Sequence, residues 1–384
     1  MGGGNPVLNY SLARPDDVDA LLLLYREVYG SAYALPLGTD PEVMASEISS
    51  PQTTWLVARE PGCGRLVGSI VGTLDPAARL GKLQGLVIHP DARGLGAGHL
   101  AVQQLSEAML GGERPADSLY STARTNSTAP QRICLQAGFR ALGVLPNLRK
   151  AARHETMVLL ARHREGVLEQ RLPVARVPQA LGGLMRALDA VPGPHPRPEL
   201  TDEPLPAPAT GPGAELELVD APQFVARHFA RHLPDPGQCF YPFHTPNVLL
   251  TPADGGYELY AQLSPSDGYC TLIGAEPGLS AVGDDLDTIT QKLAAHGASY
   301  LETLVPLDSY ENLRLLLANG FLPVAAYPAM RREEHGFRDY VVMARTLQPL
   351  DFRGLSIDTA FQPFAEQYIE LWKHQNLNTN GIFR

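Results

Sequence analysis

Residues 93–98 read Arg-Gly-Leu-Gly-Ala-Gly, a cation followed by three glycines at alternate positions. Glycine lacks Cβ, so successive backbone N–H groups can converge on one point, and a helix opened by them adds the positive end of its dipole. Arg93 adds a formal charge. Such a stretch suits anion binding, above all of a pyrophosphate. Two phosphate-binding motifs do not fit. A dinucleotide turn needs a third glycine where His99 stands, and a P-loop needs Gly-Lys followed by Ser or Thr, which is absent. A glycine-rich strand-to-helix turn with no ligand is the plain alternative.

The surrounding elements must hold that loop in place. "KLQGLVI" ahead of it reads as a strand whose edge an extended ligand could pair with. Behind it a helix puts Ala97, Leu100, Ala101, Leu105, Ala108 and Met109 on one face. Upstream, Asp16 and Asp17 precede "VDALLLLYREVYG", a capped helix, and "TTWLVARE" and "RLVGSIVGTL" read as strands around a turn at residues 61–64. Tyr25, Tyr29 and Tyr33 recur every four residues, as a lining or as core. Downstream come the strand "SLYSTA", the short helix "APQRICLQAG" ending at Gly138, and the strand "HETMVLLAR". Strands interrupted by helices predict an α/β domain (an α+β mixed sheet) flanked by helices.

The whole chain has 384 residues with 44% hydrophobic content, enough for two or three domains with real cores. A net charge of −10 argues against nucleic acid as a partner. No apolar run approaches the length of a membrane span, and "LLLL" at 21–24 is far too short. The opening MGGGNP lacks the pattern of a secretory leader, and Pro6 stands where myristoylation needs Ser or Thr. Four cysteines, Cys63, Cys134, Cys239 and Cys270, are scattered with no C-x-x-C pair, so free thiols are expected and no metal. A cytoplasmic protein with no membrane attachment is the expectation.

Prolines at 192, 194, 196, 198, 204, 206, 208 and 212 mark Val191 to Gly213 as an extended, semi-rigid linker. Beyond it the sequence repeats itself. "STAPQRICLQAGFRALGVLPNLRK" (127–150) aligns without a gap on "SYENLRLLLANGFLPVAAYPAMRR" (309–332), matching Ser127/Ser309, Arg132/Arg314, Gly138/Gly320, Phe139/Phe321, Pro146/Pro328 and Arg149/Arg331. One residue of slip then aligns "TMVLLAR" with "DYVVMAR". The second copy reads "GLSAVG" before its helix "DDLDTITQKLAAHG", so the arginine–glycine loop is missing from it. "QCFYPFHTPNVLL" is unusually aromatic, and "TAFQPFAEQYIELWKHQNL" reads as an amphipathic helix.

With these motifs in view, Ile88-His89-Pro90-Asp91-Ala92-Arg93-Gly94-Leu95-Gly96-Ala97-Gly98 closely resembles the acyl-CoA binding segment of the GNAT superfamily of N-acetyltransferases. That signature is Arg/Gln-x-x-Gly-x-Gly/Ala after a strand ending in V-x-P. A second landmark, a helix running into Gly-Phe, stands here as "QRICLQAGF". The resemblance covers residues 8–162, and 215–346 resemble a degenerate copy. It implies two tandem GNAT-like domains joined by the proline-rich linker: an acyl-CoA-binding catalytic domain at 1–165, a connecting segment at 166–213, a degenerate GNAT-like domain at 214–350, and a helical tail at 351–384.

The chemistry follows from the resemblance. Arg93, Gly94, Leu95, Gly96, Ala97 and Gly98 would hold the CoA pyrophosphate, and the pantetheine arm would run along "LQGLVI". A bulge near the strand's end would free the N–H groups of Val87 and Ile88 to polarise the thioester carbonyl. An amine then attacks directly, with no covalent enzyme intermediate. The family's usual carboxylate lies four or six residues before Ile88, where this chain has Gln84 and Lys82, and its usual tyrosine donor is replaced by Cys134. Cys134 reads as a small core residue, as a proton donor to the departing thiolate, or as an acyl acceptor for which no partner histidine can be assigned. Ser127 sits where an Asn commonly contacts pantetheine, or caps a helix. His89 reads as solvated; Gln131 and Arg132 face either ligand or solvent. The expected co-substrate is acetyl-CoA or another acyl-CoA, and the partner a small-molecule or peptide amine, with a homodimer left open. A non-catalytic acyl-CoA sensor and transfer to a non-amine acceptor are the alternative readings.

Overall fold

The computed structural model of the chain describes residues 8–30, 33, 35–113, 115–150, 153–189, 191, 197–207 and 214–377. The MGGGNP opening, and 192–196 and 208–213 of the proline-rich segment, lie outside the described residues. The fold is mixed α/β with a large mixed sheet. Two compact units make up the chain: residues 1–122, 129–140 and 160–165 form the first, and 123–128, 141–159 and 166–384 form the second. No helix among the described residues is long and apolar enough to cross a membrane.

In the first unit, β1 (Asn9–Leu12), β2 (Thr53–Arg59), β3 (Leu66–Asp75) and β4 (Leu80–Ile88) run antiparallel in that order. Strand β5 (Ser118–Arg124) then lies parallel to β4. Helices α1 (Val18–Tyr29) and α2 (Pro41–Ser49) precede β2, α3 (Ala97–Gly111) joins β4 to β5, and α4 (Ala129–Gln136) follows. Leu21, Leu24 and Tyr25 of α1 pack with Met44 of α2 and with Trp55, Val57, Val71 and Val87 from one face of the sheet. Met109 of α3 reaches Gly72 and Gly81 on the other face, where glycines make room for it.

Two local expectations are corrected. Asp17 stands at the start of α1 without capping it; its carboxylate takes the N–H of Arg14 (2.9 Å) and the guanidinium of Arg59 (2.5 Å) instead. The buried stripe of α3 is Ala97, Gly98, Ala101, Val102, Leu105, Ser106, Met109 and Leu110, while Leu100 is 41% exposed and Ala108 is exposed too. Residue spacing alone fits both stripes; packing on β2, β3 and β4 selects this one.

The second unit takes β6 (Arg140–Lys150), most of β7 (His154–His163), β8 (Arg176–Pro178), α5 (Gly182–Ala187), β9 (Glu199–Thr201), β10 (Leu216–Asp220) and α6 (Pro222–His232). It continues with β11 (Val248–Pro252), β12 (Glu258–Ser264), β13 (Tyr269–Glu276), α7 (Leu286–Ala295), β14 (Tyr300–Pro306), α8 (Tyr310–Ala318), β15 (Leu322–Glu333), β16 (Gly336–Thr346) and α9 (Gln362–Asn376). Its strands neighbour one another in the order β6-β15-β16-β14-β13-β12-β11-β10, with only β13–β14 parallel among these pairs.

The proline-rich segment is not a bare spacer. Between Pro198 and Pro204 it keeps its backbone donors, and Glu199–Thr201 pairs parallel with Arg176–Pro178. Arg171 adds a bidentate pair to Asp339, which also accepts the N–H of Ala329. The amphipathic helix α9 finds its surface within this unit: Phe364, Ala365, Gln367 and Tyr368 are buried, and Gln367 donates to the Pro323 carbonyl. The aromatic segment before β11 sends Tyr241 inward, where Tyr241, Tyr269 and Tyr300 all donate to the buried carboxylate of Glu302.

Candidate functional site

Strand β4 changes character partway along. Its parallel pairing with β5 covers Leu80–Lys82 against Ser118–Tyr120 and stops there. Beyond that point the Ser121 hydroxyl reaches the Leu83 carbonyl at 3.0 Å. On the other edge the register with β3 slips: Ser69 opposes Val87 but Val71 opposes Gln84, so β4 carries one extra residue. Gly85 absorbs the bulge at φ +65°, a backbone region glycine enters at little cost. Val87 and Ile88 follow it two and three residues on. Val87 is buried in the core beneath α1, and the Ile88 carbonyl accepts from Arg93 Nε at 3.2 Å.

The tyrosines of α1 hold this bulge. Tyr25 Oη donates to the Gly85 carbonyl at 3.0 Å and Tyr29 Oη to that of Leu86 at 3.4 Å. Tyr33 packs against both, with ring centroids 4.8 and 5.1 Å away. Desolvation, with the neighbouring Tyr33, pushes the Tyr25 hydroxyl far up, so it stays a donor. The four-residue spacing of these tyrosines is visible in the sequence; that two of them bind strand carbonyls is not.

The loop leads from the bulge to α3. His89 caps a short turn, its Nδ1 accepting the Asp91 N–H at 3.2 Å; its side chain is only 15% exposed, with Nε2 3.5 Å from Glu27. The expectation of a solvated histidine is therefore corrected, because the ring is used as a cap. Gly94 and Gly96 adopt φ +78° and +75°, and an added Cβ on either would meet nothing within 4 Å. Their role is backbone conformation beside open space. Gly98 differs: a Cβ there would come 3.0 Å from Ile133 of α4, so it permits close helix packing. Gly96 opens α3 without any side-chain cap, leaving the first-turn N–H groups without a partner inside the helix. Tyr10 fixes this end by donating to the Ala97 carbonyl at 2.9 Å. Arg93 and Gly94 are exposed and Leu95 is half-buried. The residues present fit an anionic group: a left-handed glycine backbone, a free helix start and a cation lie together.

Cys134 sits on α4 beside Ile133 and is 7% exposed; burial pushes its thiol up to about 12. It is a protonated thiol, which a nucleophile must not be. Gln131 is fully buried and Arg132 exposed. Ser127 is exposed two residues before α4 and belongs to the second unit.

Lys82 is the residue sequence reasoning undervalued. It lies between Thr73 and Tyr120 where β4 and β5 are about to part, and among the described residues its side chain has neither a hydrogen-bond nor an ion-pair partner. Burial lowers its pKa, driving the ammonium toward the neutral amine. A neutral amine can accept a proton. The sequence shows a lysine in place of a carboxylate; only the fold shows that it is desolvated.

Residues 19–129, from α1 through the glycine loop and α3 to the start of α4, match the acetyltransferase (GNAT) family model. That segment is a GNAT acetyltransferase domain. No curated protein matches the chain in sequence. Among solved structures, a GNAT-superfamily phosphinothricin acetyltransferase from Sinorhizobium meliloti in complex with AcCoA is 20% identical, covering 41% of this chain and 90% of that one with a TM-score of 0.36. A ribosomal-protein-alanine N-acetyltransferase from Brucella melitensis is 20% identical over 41% of this chain and 99% of that one, TM-score 0.35. A GNAT-family acetyltransferase from Streptococcus pneumoniae is 19% identical over 41% and 99%, TM-score 0.36.

Proposed function

We propose that this protein transfers an acyl group, acetyl above all, from acyl-CoA to an amine by direct attack. Residues 1–165 are the acting domain in this reading, 166–213 the connection, 214–350 a degenerate GNAT-like domain and 351–384 a helical tail. The observation that carries it is the bulge at Gly85, which sits at the parting of β4 and β5 and leads directly into the arginine–glycine loop. Arg93, Gly94, Leu95, Gly96, Ala97 and Gly98 hold the pyrophosphate. The backbone N–H of Ile88 takes the charge that develops on the thioester oxygen, whereas that of Val87 lies on the β3 edge, the side to which the His89 N–H donates.

The acceptor must lose a proton before it attacks, and Lys82 is the group that takes it. The amine nitrogen then bonds to the carbonyl carbon, the carbon–sulfur bond breaks, and the sulfur leaves with the electron pair. Cys134 passes a proton to that sulfur and takes up the second proton that the attacking nitrogen loses as the amide forms, so the thiol, which burial keeps protonated, ends as it began.

The tandem reading rests on positions 182 residues apart. Gly138 and Gly320 share φ near +86° and +82°, each beside an arginine side chain, Arg162 and Arg345. Asn147 and Ala329 follow Pro146 and Pro328 with φ +56° and +50°. Strand β13 also carries an extra residue against β12, where its parallel pairing with β14 ends.

A second reading, an acyl-CoA binder without turnover, draws on Gln84 and Lys82 standing where carboxylates are usual. One experiment separates the two: calorimetry with acetyl-CoA and free CoA, then thiol release across a panel of small amines and peptide N-termini. Binding with thiol release is the expected result. Binding without release on every acceptor favours the binder, and no binding at millimolar ligand ends both. In Cys134→Ala, kcat is expected to fall by about ten-fold or more with the acetyl-CoA KM unchanged. Unchanged turnover would reduce Cys134 to a packing residue.

A further inference from the structure

The second unit holds a group of side chains that the acyl-transfer reading does not use. Helix α6 places His228 and His232 one turn apart on the same face, and Glu258 rises toward them from β12. His228 Nε2 lies 3.0 Å from one oxygen of Glu258, and His232 Nδ1 lies 3.5 Å from the other. One donor atom from each residue falls within 4.8 Å of the rest, the one such group of histidine, cysteine and carboxylate among the described residues.

We propose that His228, His232 and Glu258 form a binding site for a divalent ion of the zinc class. Imidazole nitrogen and carboxylate oxygen both bind such an ion at roughly 2.0–2.2 Å, which sets neighbouring donors about 3.3 Å apart. The two observed separations, each to a different oxygen of the Glu258 carboxylate, lie on either side of that value. The supporting groups are also in place. Tyr260 donates to the second oxygen of Glu258 at 2.5 Å, orienting the carboxylate as outer partners do at metal centres. The Phe224 ring stacks on His228 at 5.4 Å, fixing the imidazole plane.

Charge points the same way. Glu276 stands directly opposite Glu258 across β12–β13, and like charges so placed repel unless a cation lies near. His228, Glu258 and His232 are 22, 32 and 47% exposed, so an ion reaches them from solvent without unfolding. Three protein donors leave a coordination position for water or a small anionic ligand. The i, i+4 spacing of His228 and His232 is a local feature of α6, but the third donor joins them only through the pairing of β11 and β12 beside that helix.

The test is calorimetric titration of Zn2+ into the untagged, metal-stripped full chain, repeated with Co2+ to read ligand-field absorption. One equivalent per chain is expected, with tetrahedral or five-coordinate Co2+ spectra and a melting temperature raised by Zn2+. Glu258→Gln and His228→Gln should each weaken binding by about 100-fold, and Tyr260→Phe by about 10-fold. His232→Gln, at the most exposed position, serves where another variant melts early in the absence of metal. Absence of saturable binding at 100 micromolar, or equal binding by the parent, Glu258→Gln and His232→Gln, would overturn the site and leave a hydrogen-bonded histidine–glutamate cluster.

Discussion

Lys82 shows how much a single side chain can carry. An amine without a counter-charge, taken out of water, destabilises the fold in its charged form. Because its folded pKa lies below the unfolded one, the unfolded chain binds more protons across the window between them. Stability therefore rises with pH from the lowered value up to the ordinary lysine value, and the full cost is felt below it. Lys82→Met should flatten that alkaline rise and increase the melting temperature at neutral pH, as followed by thermal melts from pH 7 to 10.5. If Lys82 is the base, the same variant should also lower kcat, whereas Lys82→Glu should retain part of it by restoring a carboxylate. A melt whose pH dependence is identical in parent and Lys82→Met would show that the lysine is solvated.

At the scale of elements, function depends on one irregularity in one strand. A Cβ on Gly85 would approach Tyr25 Oη to 2.8 Å and Leu37 to 3.3 Å, at a φ that disfavours any side chain. Gly85→Val should cost about 1–3 kcal/mol of stability from strain and crowding. It should also lower kcat by about 100-fold, the scale of losing one oxyanion donor, with acetyl-CoA affinity kept by the separate glycine loop. Equal losses in affinity and kcat would show that the bulge and the loop do not act separately.

Most elements flanking this site were legible, because alternation marked β2 to β5 and Gly138 marked the end of α4. Strand β6 has no comparable mark: Pro146 lies within it, and a positive φ at the next residue, Asn147, lets the strand bend there. The glycine loop was legible in type, and its three glycines separate by role only in space. Tyr25, Glu27 and Lys82 gain their meaning from contacts more than 50 residues away in sequence or from burial, which no local pattern encodes.

For the molecule as a whole, the segment expected to be a mere connection contributes to stability. Arg171 and Asp339 are 13 and 4% exposed, and the carboxylate also holds the backbone of Ala329 at its left-handed turn. Removing one partner strands a buried charge. Arg171→Ala should destabilise the second unit by about 3–5 kcal/mol in urea unfolding, and Arg171→Lys should recover only part because it loses the bidentate fork. A loss below about 1 kcal/mol would mean that the pair is solvated.

The early end of the β4–β5 ladder has a wider consequence. Where two neighbouring strands cease to pair, backbone donors and acceptors on their facing edges are released from the ladder. Such an edge recognises amide spacing more than chemical identity. A short extended peptide with apolar side chains at alternate positions should compete there with the acyl carrier. This protein would then be open to inhibition by strand mimics that resemble neither of its substrates.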